Sequence, residues 1–568
     1  MKPHFRPLRI APLLGALLLG IGCHAVASEG KATSLPVQDV ASGLTPQILY
    51  QFMYAEVAGS RGQVPLSVAA YLDLAQTTRD PRIAKRAAEI ALHARQYDAA
   101  LAATRIWVEQ EPDSPGAQQM AVTLAAAFGR LDEVAAHLAR SLALDTDNVP
   151  AGLMRINRLM ARIPDKTAAY KVVEDATEPY LTLPEAHFAR AQAAYSAKDF
   201  PRAQTAVEAA LALRPDWEFA IILKALLVQN QPAEVIAILQ PFTRANPQAS
   251  DARLGLARAL VSERRFEDAL SEFKQILELQ PGNADVTYAV GLLSLQLRDY
   301  ATAETQLRRL IDLNYSEGNL VRTYLGQIAE EKKDFKAAAE WYAGVTPGAQ
   351  YVSAQSRAAQ LTARLGDLKG ARAMLQRISL SDEAGKVQLV LAEAQLLREA
   401  NHHDEAYIFL DKALSARPNE AELLYETALS ADRLRKFEVA ERLWQRLIKI
   451  KPDHAHAYNA LGYSLADRGV RLDEAQQMID KALQISPDDP FILDSKGWVL
   501  YRKGDKQAAL DALQKAFSRR PDPEIAAHLG EVLWAVGRKE DAHKVWADAA
   551  RDNPGNETLA ETIKKHQP

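Results

Sequence analysis

One spacing constrains this chain more than any other feature: a small residue, a second small residue twelve positions on, and a proline twelve positions after that. Ala88, Ala100 and Pro112 set it out, and Ala191, Ala203 and Pro215 repeat it. The sets Ala257, Ala269, Pro281, then Ala394, Ala406, Pro418, then Ala428, Ala440, Pro452 follow. In two late copies glycine takes the first place, as Gly497, Ala509, Pro521 and as Gly530, Ala542, Pro554. Two antiparallel helices approach closely only where the side chains at their crossing are small. Proline then ends the second helix, because it lacks a donor and clashes with the turn before it. Bulky residues four places after the second alanine (Phe273, Tyr342, Trp444, Leu513, Trp546) are expected to fill the space between one hairpin and the next. Polar runs such as Lys198-Asp199-Phe200, Arg298-Asp299-Tyr300 and Gly366-Asp367-Leu368 mark the turns inside each pair.

The pattern predicts an all-α chain, an α-α superhelix of about fourteen helical hairpins across residues 45–555. Copies near 115–180 are degenerate, Pro247 and Pro347 close shortened units, and Gly469–Leu472 inserts one residue. Residues 556–568 are expected to be a C-terminal tail. Spacing and residue types together resemble the tetratricopeptide repeat, whose unit is about 34 residues. At 48% hydrophobic and 25% charged residues, the composition supplies ordered mass for the whole length. The net charge of -4 is spread without a basic block, so nothing calls for nucleic acid.

The first residues have another purpose. Lys2, Arg6 and Arg9 precede the apolar stretch Ile10–Gly22, which is too short to remain as a bilayer span. Residues 1–27 are therefore expected to be a signal peptide, and 28–44, small and polar, a flexible tether. Two exits stay open. Cleavage after Ala25-Val26-Ala27 would release a soluble periplasmic protein, whereas lipidation of Cys23, the sole cysteine, would anchor it. Gly22-Cys23 resembles a lipoprotein box, although Gly20 stands where leucine is usual and Leu19 is one place early. His24 follows the cysteine in place of an inner-membrane retention aspartate, which would favour the outer membrane.

Residues 44–101, opening LTPQILYQFMYAEVAGSRG, and 459–546, opening NALGYSLADRGVRLDEA, are together similar to the proteobacterial tetratricopeptide lipoproteins of the LbcA type, which partner the carboxyl-terminal processing protease CtpA. That resemblance implies a non-catalytic adaptor, binding a periplasmic processing protease and recruiting its peptidoglycan hydrolase substrates. The alternative is a structural scaffold in polysaccharide export or outer-membrane assembly.

Two surfaces are candidates for partner binding. In a tetratricopeptide superhelix the first helix of each hairpin lines the groove, and positions one and four after its small residue are expected to be exposed. These are Trp498 and Tyr501 after Gly497, with Phe491 and Asp494 on the same face, flanked by Tyr463 and by Glu531 with Trp534. The same aromatics could instead be packing between repeats. No basic clamp for acidic carboxy termini is visible, since Asn459 and Arg502 stand alone. The second surface is Tyr50, Phe52, Met53 and Tyr54, on a helix opened by Thr45-Pro46. Such a cluster either caps the solenoid or docks a partner.

Chemistry is sparse. The chain has no HExxH pair and no glycine-rich phosphate loop, and no cofactor is expected. His402-His403-Asp404-Glu405, the densest run of metal-ligand types, falls at a hairpin turn where neighbouring side chains diverge. Feeding cells a clickable fatty acid tests the anchor: label on the wild type and none on Cys23→Ser is expected for a lipoprotein, while an unlabelled wild type leaves release after Ala27.

Overall fold

The computed structural model describes residues 45–161 and 163–566; the leader, Cys23 and the tether lie outside them. The described residues form thirty-one α-helices, one short 3-10 turn at Glu178–Tyr180 and no strand. Successive helices pair into fifteen hairpins, and a closing helix, Glu557–Lys565, buries Leu559 where a tail was expected. Among the described residues no helix is long and apolar enough to cross a membrane.

Every alanine of the spacing at either crossing position, from Ala88 and Ala100 to Ala509 and Ala542, is fully buried. Each proline stands two residues past a helix end: Leu213 before Pro215, Ile450 before Pro452, Asp552 before Pro554. The three turns that the sequence marked share one device. A residue in the left-handed region (Lys198 and Arg298 at φ 60°, Gly366 at φ 99°) closes the first helix. An aspartate then caps the second: Asp199 accepts from the Arg202 amide at 3.2 Å, Asp299 from Thr302 at 3.1 Å, Asp367 from Gly370 at 2.7 Å. The inserted residue at 469–472 needs two left-handed positions, Gly469 and Arg471.

The bulky residues pack toward the next hairpin, as the sequence suggested, and also within their own. Leu513 lies over Gly497, Tyr342 over Gly326 and Trp546 over Gly530, each inside its own hairpin. Trp546 reaches onward as well, its ring 5.2 Å from His566 of the closing helix. The indole is fully buried because the first helix has no side chain beneath it.

Contacts divide the chain at Pro215/Asp216 into two compact units, where one continuous array was expected. The first holds five hairpins, among them the degenerate copies, which do form helices at Pro115–Ala127, Leu131–Leu144, Val149–Met160 and Lys166–Thr177. The second holds ten hairpins and the closing helix. Two of its shortened helices, Glu218–Leu227 and Phe335–Ala343, fall at the units closed by Pro247 and Pro347, and a third, Leu368–Gln376, follows them. Buried Arg253 clamps the first of these turns, donating to the carbonyls of Thr243 and Pro247 and pairing with Glu272.

Gly530→Ala would drive a Cβ into the Trp546 indole and should cost about 1–3 kcal/mol in a thermal melt. Gly555→Ala, with nothing within 4 Å, should stay within about 0.5 kcal/mol of wild type. Equal melts for the two variants would contradict the crossing geometry.

Candidate functional site

The last four hairpins begin with the helices Ala421–Arg433, Ala455–Arg468, Pro490–Arg502 and Pro523–Ala535. Each of these first helices packs on the next, and no comparable contact joins their second helices. Repeats converge on their inner side, so the first helices line the inner face. One contact spans a whole hairpin: the Tyr463 hydroxyl lies 3.4 Å from His528 Nε2, two hairpins along.

His528 is the centre of this face. Its Nδ1–H donates to both carboxylate oxygens of Asp494, at 2.9 and 3.0 Å. Its ring stacks on Trp498 with centroids 4.4 Å apart, and Trp498 in turn meets Tyr501 at 5.4 Å. Burial alone would push the His528 pKa down. The charge and hydrogen bond of Asp494, with Glu531 and Asp467 further off, together outweigh it and raise the pKa above the usual histidine value. The ring so held is buried, bonded to a carboxylate and covered by an indole face. Burial, with the charges of Asp467, Asp494, Glu524 and Asp432, holds the Tyr463 hydroxyl far above its usual pKa. Solvent reaches Glu524, yet crowding by the facing helices strips part of its hydration; that and the charges of Asp522 and Asp494 raise its pKa, with His528 opposing.

The structure thus brings Tyr463, Asp494, Trp498 and Tyr501 together, but not as an exposed strip. Trp498 and Asp494 are each only 7% exposed, and Tyr463 and Tyr501 are half-buried. The expectation of exposure one position after the small residue fails at Trp498 because His528, from the next hairpin, covers its ring. Phe491 is exposed, beneath the Arg520 guanidinium at 5.0 Å. Glu531 accepts from Lys565 at 2.8 Å, and Trp534 packs edge-on against His543 and His566. Sequence reasoning missed His528, which stands two positions before Gly530. Arg502 gives its guanidinium to the Asp467 carbonyl. At the 402–405 turn, Glu405 accepts from Arg372 and His402.

At the other end, helix Pro46–Ser60 opens as the sequence indicates, with Thr45 Oγ1 accepting from the Ile48 amide at 3.2 Å. Tyr50 is 70% exposed, Met53 57%, Tyr54 45% and Phe52 41%, with Leu49 and Val57 open beside them. Phe52 touches Tyr71 edge-on at 6.0 Å, which fixes the helix to its partner Val64–Thr78. A terminal cap normally turns a polar face outward. This one turns out an apolar face.

A family model described as tetratricopeptide repeat matches residues 222–284, 288–351, 425–490 and 495–557. A TPR repeat-containing protein of Pseudomonas aeruginosa is 30% identical over 534 residues, covering 92% of this chain and 90% of the relative. The chain is a tetratricopeptide repeat protein. A shorter likeness, 32% over 126 residues, relates 22% of this chain to 10% of the cellulose synthase operon protein C of Pseudomonas fluorescens. Among solved structures, a tetratricopeptide repeat protein from Parabacteroides merdae aligns at 17% identity over 44% of this chain and 98% of its own, with a TM-score of 0.36. A TPR protein of Thermus thermophilus aligns at 23% identity over 31% of this chain and 98% of its own, with a TM-score of 0.29.

For this tetratricopeptide array, His528 makes a signed prediction. Its folded pKa is raised, so its stabilisation is complete below about pH 6.5 and is lost as pH climbs through the raised value. Hydrogen exchange in helices 455–468, 490–502 and 523–535 should quicken across that window, and the pH dependence should flatten in His528→Gln. Asp494→Asn, which takes from His528 the carboxylate that raises its pKa, should cost about 3 kcal/mol below about pH 6.5.

Proposed function

We propose that this tetratricopeptide protein is an envelope adaptor without catalysis of its own, binding a periplasmic carboxyl-terminal processing protease and presenting peptidoglycan hydrolases to it. On this reading the leader carries the chain out of the cytoplasm. Lipidated Cys23 then tethers it to the periplasmic face of the outer membrane, or cleavage after Ala27 frees it in the periplasm. The observation that carries the reading is the uncovered face of helix Pro46–Ser60, where Tyr50, Phe52, Met53 and Tyr54 stand open at the end of the array. A cluster of exposed aromatic and thioether side chains is the composition of an interface anchor. Its place in the stretch 44–101 that resembles the LbcA-type lipoproteins points to the protease as the partner that covers it. Hairpins and the closing helix occupy the described residues from 46 to 565, which supports a binding role.

A second reading, a scaffold in polysaccharide export or outer-membrane assembly, draws on the shared 126 residues with the cellulose synthase operon protein. A pull-down from detergent-solubilised envelopes separates the two. The tagged wild type should retain a serine protease and cell-wall hydrolases, and a variant with Tyr50, Phe52, Met53 and Tyr54 all changed to serine should retain at least about tenfold less. Recovery of synthase or porin components instead favours the second reading, and undiminished capture by the variant removes the terminal helix as the docking surface.

A further inference from the structure

The first unit carries a cavity at the one regular copy of the repeat that departs from the bulky pattern. Four places after Ala100 stands Thr104, where the other six copies of the spacing hold Val207, Phe273, Leu410, Trp444, Leu513 and Trp546. Those six side chains are buried and apolar. Thr104 is as buried but smaller than most of them, and its hydroxyl turns back to donate to the Ala100 carbonyl at 2.8 Å. Beside it lies a cavity of about 280 Å³, between Tyr97–Gln110 and Leu131–Leu144, the second helices of successive hairpins. Leu101, Thr104 and Val108 line it from the first of these, Ala121 from helix Pro115–Ala127, and His137 from the second.

The charges around this cavity are already matched. Arg105 pairs with Glu133 at 3.2 Å and Glu109 with Arg79 at 2.6 Å, and all four side chains reach solvent, so the pairs stand at the mouth. His137 is different. Gln118 spends its amide nitrogen on the Pro112 carbonyl at 2.8 Å, so its oxygen is what faces His137 Nδ1, also at 2.8 Å. The ring proton therefore sits on Nδ1, and Nε2 keeps its lone pair. Burial lowers the His137 pKa against the opposing charge of Glu133, which keeps the ring neutral near pH 7. Nε2 has no partner among the described residues, yet protein does not seal it off. With Nδ1 engaged by Gln118, the edge that carries Nε2 is the one left to line the cavity.

We propose that this cavity receives a tyrosine side chain of a protein partner, its ring among Leu101, Thr104, Val108 and Ala121 and its phenol O–H donating to His137 Nε2. The volume suits a single ring: about 150 Å³ holds benzene, and pockets for drug-sized molecules begin near about 300 Å³. The lining suits a phenol, which is apolar over its body and ends in a donor. Phenylalanine would cover Nε2 without bonding it, and a charged side chain would give up its hydration to an apolar floor. The proposal rests on the protein-binding role of the array and not on the protease reading. It places a second contact on the outer side of the second and third hairpins, apart from helix Pro46–Ser60.

Saturation-transfer NMR titrations on the full chain test it, with p-cresol as the tyrosine side chain alone and 4-methylanisole as the same ring without the donor. The cresol should bind saturably and at least about fivefold more tightly than the anisole. Thr104→Leu, which installs the side chain that Leu410 and Leu513 supply elsewhere, should abolish binding of both while a thermal melt shows the fold retained. His137→Phe should still bind the anisole and lose the preference for the cresol. Of two glycine–serine octapeptides, one with a central tyrosine should bind at least about fivefold more tightly than one with a central phenylalanine. No saturable cresol binding, equal binding of cresol and anisole, binding that survives Thr104→Leu, or a preference kept by His137→Phe would each overturn the proposal. Cresol binding without tyrosine-peptide binding would overturn the protein source. None of these probes comes from the envelope, so a captured protease with no cresol binding sinks the cavity alone, and cresol binding without a captured protease sinks the protease reading alone.

Discussion

Where the two helices of a regular hairpin cross, no side chain larger than a methyl group stands between them, and the rest of the architecture follows from that contact. A fully buried alanine on each helix sets the interaxial distance, and glycine in the first place brings the second helix near enough for an aromatic residue to lie on bare backbone. Trp546 over Gly530 and Tyr342 over Gly326 are the strongest cases. The crossing works only if each helix stops on time. Stopping is divided between a left-handed residue, in several turns an aspartate cap, and in the regular copies a proline two residues beyond the second helix, each satisfying or removing backbone groups that would otherwise be orphaned.

Hairpins closed in this way present a fixed face of the first helix, and stacking the last four sets those faces side by side. Side chains three residues before the small position (Asn459, Asp494) and one after it (Tyr463, Trp498) then meet residues of neighbouring hairpins. His528 ties three hairpins together by holding Asp494, covering Trp498 and reaching Tyr463. A buried ionic bond of this kind adds less net stability than its geometry suggests, because both partners give up hydration. Its effect here is positional: it fixes the spacing of the rungs.

The repeat itself was legible in the sequence, because a helix crossing demands small residues at a fixed local spacing, and that spacing survives at Ala88–Pro112 as at Gly530–Pro554. Degenerate copies were harder to count. The region 115–180 lacks the alanine and proline signature and still forms helices, and Leu559 turns the apparent tail into a closing helix by giving one more apolar side chain to bury. Trp498 was placed on the right face with the wrong exposure. Helical periodicity tells which way a side chain leaves its own helix, whereas the His528 that covers it lies 30 positions further along the chain. The division at Pro215/Asp216 had no local signal, since Pro215 closes its repeat like every other proline of the series.

The central claim is that this array binds protein partners through particular faces rather than serving as an inert spacer. Hydrogen–deuterium exchange of the full chain, alone and with the protease fraction captured from envelopes, measures that directly. The account expects protection to rise in helix Pro46–Ser60 on addition of that fraction, with the outward second helices of the last four hairpins unchanged. Protection confined to those second helices, or no change anywhere along the chain, would contradict it.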